Sequence, residues 1–181
     1  FGSLTLFNGK QFKTYTKKEG FYANQTIRDI EIAGPNDIWI GTNNGLWHFD
    51  GSVFKSYNMN DGLFINQIVD LFIDKNSNIW LAGGNSNGGG LVHFDGSYFT
   101  TIYPPEGSDA LKNYSTSCIN QSIDGTLWIG TYSRGIYKFD PTTIRNITST
   151  EGMSEKMWIS SMISDKDNTI WATTMGKGLF R

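Results

Sequence analysis

The sequence predicts an all-β chain: a β-propeller of about four four-stranded antiparallel blades, a fragment of a larger propeller. Three observations predict it. Ile38-Trp39, Ile79-Trp80, Leu127-Trp128 and Ile170-Trp171 recur at intervals of 41, 48 and 43 residues, inside the period that marks propeller blades. No stretch of ten or more residues carries the 3.6-residue apolar period of a helix. Charged residues make up only 18% of the 181, while aromatics reach 14% and glycine supplies 21, a balance that suits short strands and tight turns.

Each unit reads as strands A to D. IRDIEIA, NQIVDLFI, TSCINQSI and ISSMIS mix β-branched and apolar residues and end in the turn chemistry GPND, DKNSN, DG and DKDN. IWIG or LWIG follows as strand B, then a glycine-containing turn, then GLWHF or GIYKF as strand C. An Asp-Gly or Asn-Gly turn, which favours the positive φ of a tight hairpin, delivers strand D. Strand C is apolar on both parities, with Leu46, Leu91, Ile136 and Leu179 on one and Phe49, Phe94 and Phe139 on the other. A sheet with two apolar faces has to be covered on both, and stacked blades do that. The chain is expected to form one partial propeller over 1–181, with repeats at 1–15 (partial), 27–57, 67–103, 116–148 and 159–181 (partial). Strand C occurs at both ends, so a fragment of a longer array is expected, with open blade faces available for self-association. The alternative is a closed ring in which Phe12 to Tyr15 completes the last blade.

The formal charge of −2 offers no basic footprint for nucleic acid, and no apolar run approaches the ~20 residues of a membrane span. No nucleic acid and no membrane contact by this segment are expected. The lone Cys118 excludes an internal disulfide, and no Cys/His cluster suits zinc. The runs from Asp74 and Asp165 look like the start of a calcium loop but place isoleucine where an EF-hand needs glycine and lack its closing glutamate, so they read as Asx-rich turns. Ser122 to Trp128 looks like the structural Asp-box of sialidase-type propellers. The arginine cluster and tyrosine nucleophile of such an enzyme are not apparent, and no acid/base pair stands out. No catalytic residue, cofactor or metal is therefore expected. His48 and His93, in one register of strand C with Lys138, are expected at blade surfaces or between blades.

WIGTNNGLWHFDGSVFKSYNMNDGL (39–63) and LWIGTYSRGIYKFD (127–140) resemble the two-component regulator propeller repeats of bacterial sensor proteins. The resemblance implies a periplasmic sensor region of an inner-membrane, often hybrid, histidine kinase in bacteria that forage on polysaccharide. It implies a sensory, non-enzymatic propeller that is a fragment of a larger one of about seven blades, with any kinase module elsewhere in the parent.

Hairpin connections alternate between the two ends of a blade, so B–C and D–A connections share one face. The two insertions, at 84–90 and 103–115, fall on that face, and loops on a rigid scaffold are where binding usually resides. Asn44, Asn85, Tyr132, Arg134 and Lys177 from B–C turns, with Tyr22, Tyr114 and Trp158 from D–A connections, are the candidate ligand-binding residues. Phe21 and Phe64 lie in the same D–A connections. Aromatic faces stack on sugar C–H surfaces, and Asn, Arg and Lys bond hydroxyls. An oligosaccharide or other polar ligand is the expected partner. The alternative is a protein-interaction or dimerisation module, and a propeller glycosidase or lyase ranks third.

Overall fold

A computed structural model describes residues 3–22, 25–85, 88–102, 115–140, 143–147 and 156–181. Five antiparallel sheets follow one another along the chain. The first holds β1 (Leu4–Phe7) and β2 (Phe12–Tyr15); the second β3 (Ile27–Gly34), β4 (Asp37–Thr42), β5 (Gly45–Phe49) and β6 (Phe54–Tyr57). The third holds β7 (Gln67–Ile73), β8 (Ile79–Asn85), β9 (Gly88–Phe94) and β10 (Phe99–Ile102); the fourth β11 (Thr116–Gln121), β12 (Leu127–Thr131), β13 (Ile136–Asp140) and β14 (Thr143–Asn146). The last holds β15 (Ile159–Ser164), β16 (Ile170–Thr174) and β17 (Gly178–Phe180). Each sheet is a meander in sequence order, which is a propeller blade. No helix among the described residues is long and apolar enough to cross a membrane.

The core is divided among the seams between successive sheets. Leu4, Tyr15 and Phe21 pack on Ile40 and Phe49; Trp39 and Leu46 on Ile68, Leu81 and Phe94; Trp80 and Leu91 on Ile119, Ile129 and Tyr137; Cys118 and Ile136 on Ile159 and Met162. Among the described residues no cluster joins the first sheet to the last. β2 pairs with β1 and not with β17, so the closed-ring alternative is not what the molecule adopts. The arc leaves both outer faces bare. Ile30 is 42% exposed, while Leu71, Ile119 and Met162, at the same strand-A position, are buried under a preceding blade. Leu179 is 60% exposed, whereas its counterparts Leu46, Leu91 and Ile136 are buried under a following one.

Polar bolts repeat with the blades. Leu71 N–H donates to Asp29 Oδ2 at 2.7 Å and Ile119 N–H to Asp70 Oδ2 at 2.6 Å, tying β3 to β7 and β7 to β11. The strand-B indole N–H donates to the residue that opens the preceding turn: Trp80 to Asp74 (3.0 Å), Trp128 to Ser122 (2.9 Å) and Trp171 to Asp165 (2.8 Å). The Asx runs are thus consumed by the fold. Asp74 also accepts from the backbone N–H groups of Asn76 and Asn78 and from Asn78 Nδ2.

Each histidine rests on the indole of its own blade, and His93 also faces the seam with the next blade, as the sequence leads one to expect. His48 stacks on Trp39 (4.0 Å, 13°) and His93 tilts over Trp80 (4.6 Å), each directly across the B–C ladder. Lys138 over Trp128 and Arg181 over Trp171 hold the same place, so strand C sets a cationic or imidazole group on every strand-B indole.

Two D–A connections contain a short 3₁₀ turn, Lys17–Glu19 and Met59–Asp61, that the strand pattern does not foretell. Each is closed by a reciprocal cap, Thr16 with Glu19 and Asn58 with Asp61, and stopped by a left-handed glycine, Gly20 or Gly62.

Candidate functional site: the B–C and D–A face

The geometry of this face begins with the threonine that ends strand B. Thr42, Thr131 and Thr174 hold their hydroxyls on the carbonyls of Gly45, Gly135 and Gly178, which folds the B–C turn back tightly. Gly45 is obligatory: its φ is +107°, and any Cβ would strike the Tyr57 carbonyl. In the third sheet the threonine position is Gly83, and Thr116 of the next blade supplies the hydroxyl instead, accepting from Gly83 N–H at 2.6 Å. The turns of the second and fourth sheets are each clamped between two D–A segments. Asn43 N–H donates to Thr26 O while Gly45 N–H donates to Asn66 O of the following connection; Tyr132 N–H reaches Ser115 O and Gly135 N–H reaches Met157 O.

The clamping creates two features. One is a hollow of about 350 Å³ at the B–C turn of the second sheet, lined by Gln25, Asn44, Trp47, Asn58, Asn60 and Asn66 with Ser56, Tyr57 and Met59. Asn58 Oδ1 is occupied by Asn60 N–H, but Asn66 Oδ1 is buried without a hydrogen-bond partner among the described residues. Trp47 is braced edge-on by the buried Phe21 at 5.3 Å, so Phe21 serves packing and is closed to ligand.

The other feature is an aromatic pair. Tyr132 and Trp158 meet edge to face at 4.9 Å, and Trp158 stays 40% exposed. The Tyr132 hydroxyl feels groups of three neighbouring A strands, Arg28, Asp70 and Cys118. Burial raises the Tyr132 hydroxyl pKa, the Arg28 charge opposes that, and Cys118 and Asp70 add to it. Burial lifts Asp70 to about 7 against the Ile119 N–H; the Asp29 charge, a hydrogen bond with Asp29 and the Glu31 charge assist the lift. Burial and the Asp70 charge push the Cys118 thiol up to about 12, which keeps it protonated and unreactive.

Of the candidates read from sequence, Tyr132 and Trp158 are brought together, and Asn44 enters the separate amide-lined hollow. Arg134 is half-buried beside Tyr132, with its N–H on Thr131 Oγ1 and its carbonyl accepting from Asn146 Nδ2. Lys177 is exposed in the last B–C turn, and Tyr22 is exposed under the Lys17 ammonium at 4.7 Å. Tyr114 lies outside the described residues, as does all of the insertion at 103–115 except Ser115, and the Asn85 side chain is likewise not described. The other insertion is corrected: most of 84–90 extends β8 and β9 into seven-residue strands and does not form a longer loop. Sequence reasoning missed Asn58, Asn60 and Asn66. Their only signal is the asparagine density of NMND and FINQ.

The sequence matches no family model, and no curated protein matches it. Solved structures do. The chain is similar to the extracellular domain of a putative hybrid two-component system from B. thetaiotaomicron, with a TM-score of 0.69 and 21% identity over 93% of this chain and 23% of that one. A second such domain from B. thetaiotaomicron gives a TM-score of 0.70 and 20% identity over 98% of this chain and 24% of the other. An ancestral GH74 enzyme gives 0.61 and 17% identity over 82% of this chain and 22% of its own. At these identities the likeness establishes the fold, and the chain spans about a quarter of the length of the two-component domains. The neighbours agree with the two-component regulator propeller repeats that the motifs resemble, and the architecture is that of β-propeller blades.

Proposed function

We propose that the chain is a non-catalytic, ligand-recognising segment of the periplasmic sensor region of a two-component signalling protein, and that its ligand is an oligosaccharide held on the B–C/D–A face. The observation that carries the reading is the amide-lined hollow with the unpartnered Asn66 Oδ1. A buried acceptor left unmade costs about 1–3 kcal/mol, and a ligand hydroxyl would recover it. Side-chain amides around an indole suit a neutral hydroxylated ring, whose hydroxyls both donate and accept. The Tyr132 and Trp158 pair supplies a second stacking surface on the same face. The similarity to extracellular domains of two-component systems supports the sensory part of the reading.

Thermal-shift screening of the chain against a panel of neutral and acidic oligosaccharides tests the proposal. A stabilising glycan whose effect is lost in Asn66→Ala, or in the Tyr132→Ala, Arg134→Ala, Trp158→Ala triple variant, is the expected result. Absence of any shift across the panel would sink the ligand half. The second reading is a protein-interaction or dimerisation module of the same receptor. It predicts concentration-dependent self-association that Leu179→Lys abolishes.

A further inference from the structure

The strand-B indoles of the second and third blades sit in different surroundings. Trp39 is packed by Tyr57 (6.1 Å) of its own blade and Phe94 (5.6 Å) of the next, with Phe99 closing on Tyr57 at 5.5 Å. At the equivalent places around Trp80 stand Ile102 for Tyr57, Phe139 for Phe94 and Ile144 for Phe99. Two aromatic rings are thereby replaced by aliphatic side chains. The seam between third and fourth blades is left with a hollow of about 540 Å³, floored by Trp80, Ile102, Leu127 and Phe139 and walled by the turns at Asp74 and Asp124. It reaches the A–B and C–D turns, the end opposite the loop face.

His93 lines this hollow, and its Nε2 is buried with no hydrogen-bond partner among the described residues. Its twin shows what is missing. His48 Nε2 lies 2.8 Å from Asp37 Oδ1, whereas the residue at the Asp37 place in the third blade, Asn78, is turned onto Asp74.

We propose that this hollow between the third and fourth blades is a second binding site, for a small neutral polyhydroxylated molecule one of whose oxygens hydrogen-bonds to His93 Nε2. A hydroxyl satisfies either tautomer of the ring, because it both donates and accepts. The C–H face of the molecule lies against Trp80 and Phe139. Charge argues against an acidic ligand. Asp74, Asp124 and Asp140 outnumber Lys75 on the wall, and hydrogen bonds from Thr126 N–H and Ser122 hold the Asp124 carboxyl well below its usual range, hence ionised. Hydroxyls donate to such oxygens; a second carboxylate is repelled by them. The volume falls in the usual range for small-molecule sites. The site is independent of the ligand proposed for the loop face.

The test is NMR of the imidazole ring signals of the full chain during titration with myo-inositol and D-glucose, with D-glucuronate as the acidic counterpart. The expected result is a saturable shift of the His93 signals with the His48 signals unmoved, glucuronate binding at least about tenfold more weakly. Ile102→Tyr, which rebuilds the packing of the neighbouring seam, is expected to abolish the shift. Should that variant not fold, His93→Phe serves: it removes the nitrogen and is expected to weaken binding about tenfold, read by tryptophan fluorescence. An unmoved His93 signal with both neutral probes, equal binding of glucuronate, or full binding by Ile102→Tyr or His93→Phe would each overturn the proposal. A ligand that shifts only loop-face residues bears on the other site and likewise leaves this one refuted.

Discussion

The seam between the second and third blades and the seam between the third and fourth use one plan with opposite results. In both, a strand-A aspartate accepts the next blade's backbone N–H, and a strand-B indole sits under a strand-C imidazole. The first seam is closed by Trp39, Tyr57, Phe94 and Phe99. The second keeps its bolt but loses the rings, and both a hollow and an unpartnered His93 nitrogen remain. The difference teaches that blade stacking rests on the inner strands, which leaves the outer part of a seam free to vary. Burial agrees, since Ile68, Leu71, Leu81 and Ile129 on inner strands are sealed in both seams alike.

The largest expected effect tests the bolt of the hollow seam. Asp70 has its carboxyl lifted from 3.8 to about 7, so the folded chain holds a proton there that the unfolded chain releases above pH 4. Folding therefore takes up a proton between pH ~4 and ~7, and stability falls as pH rises through that window, by an amount on the order of a few kcal/mol in total. Below the window both states are protonated and the slope vanishes. Asp70→Asn retains an acceptor for Ile119 N–H but cannot ionise. Its urea-denaturation free energy is expected to stay flat from pH 5 to 7 where the parent declines. A parent profile that rises over that range would contradict the assignment of the proton to Asp70.

The next effect breaks the packing contrast directly. Tyr57→Ile imposes on the filled seam the residue found in the open one and is expected to cost about 1–3 kcal/mol, from lost ring contacts with Trp39 and Phe94 and from the cavity left behind. Chemical denaturation measures it. A cost under about 0.5 kcal/mol would mean that the outer seam adds nothing to stability even where it is full.

These contrasts mark how much the sequence discloses. Blade order was legible, because the four strand-B tryptophans are set by contacts inside one blade and so recur at intervals of 41 to 48 residues. The hollow was not. Ile102 in place of Tyr57 is an ordinary strand-D exchange until the next blade is laid against it. The vacancy at His93 needs two facts at once: Asn at the Asp37 place, and that Asn engaged by Asp74. On the loop face, Tyr132 and Trp158 were legible as aromatics but not as a pair, since one belongs to a B–C turn and the other to the next D–A connection. The capped 3₁₀ turns were hidden by their brevity, although T-x-x-E-G at Thr16 returns as N-x-x-D-G at Asn58 and again as T-x-x-E-G at Thr148 in the sequence.

The smallest expected effect concerns the one bolt that the filled seam lacks. Trp80, Trp128 and Trp171 each donate their indole N–H to a residue six positions earlier, but six before Trp39 stands Ala33. The backbone there already has the required shape: Asn36 has a φ of +64°, matching +65° at Ser77 and at Asn168, the third residue after Asp74 and after Asp165. Ala33→Asp should therefore find Trp39 Nε1 within reach. It does not recover the whole lock, because Pro35 stands where Asn76 donates its N–H to Asp74, and proline has none to give. The added charge also lies near Asp37, whose Oδ1 is held at 2.8 Å by His48 Nε2. The net gain is expected to be under about 1 kcal/mol, a rise of a few degrees or less in Tm, and to grow when Pro35→Lys restores the missing donor. If Ala33→Asp alone stabilises as much as the double variant, the backbone donor contributes nothing, and the indole bond by itself accounts for the aspartate in the other blades.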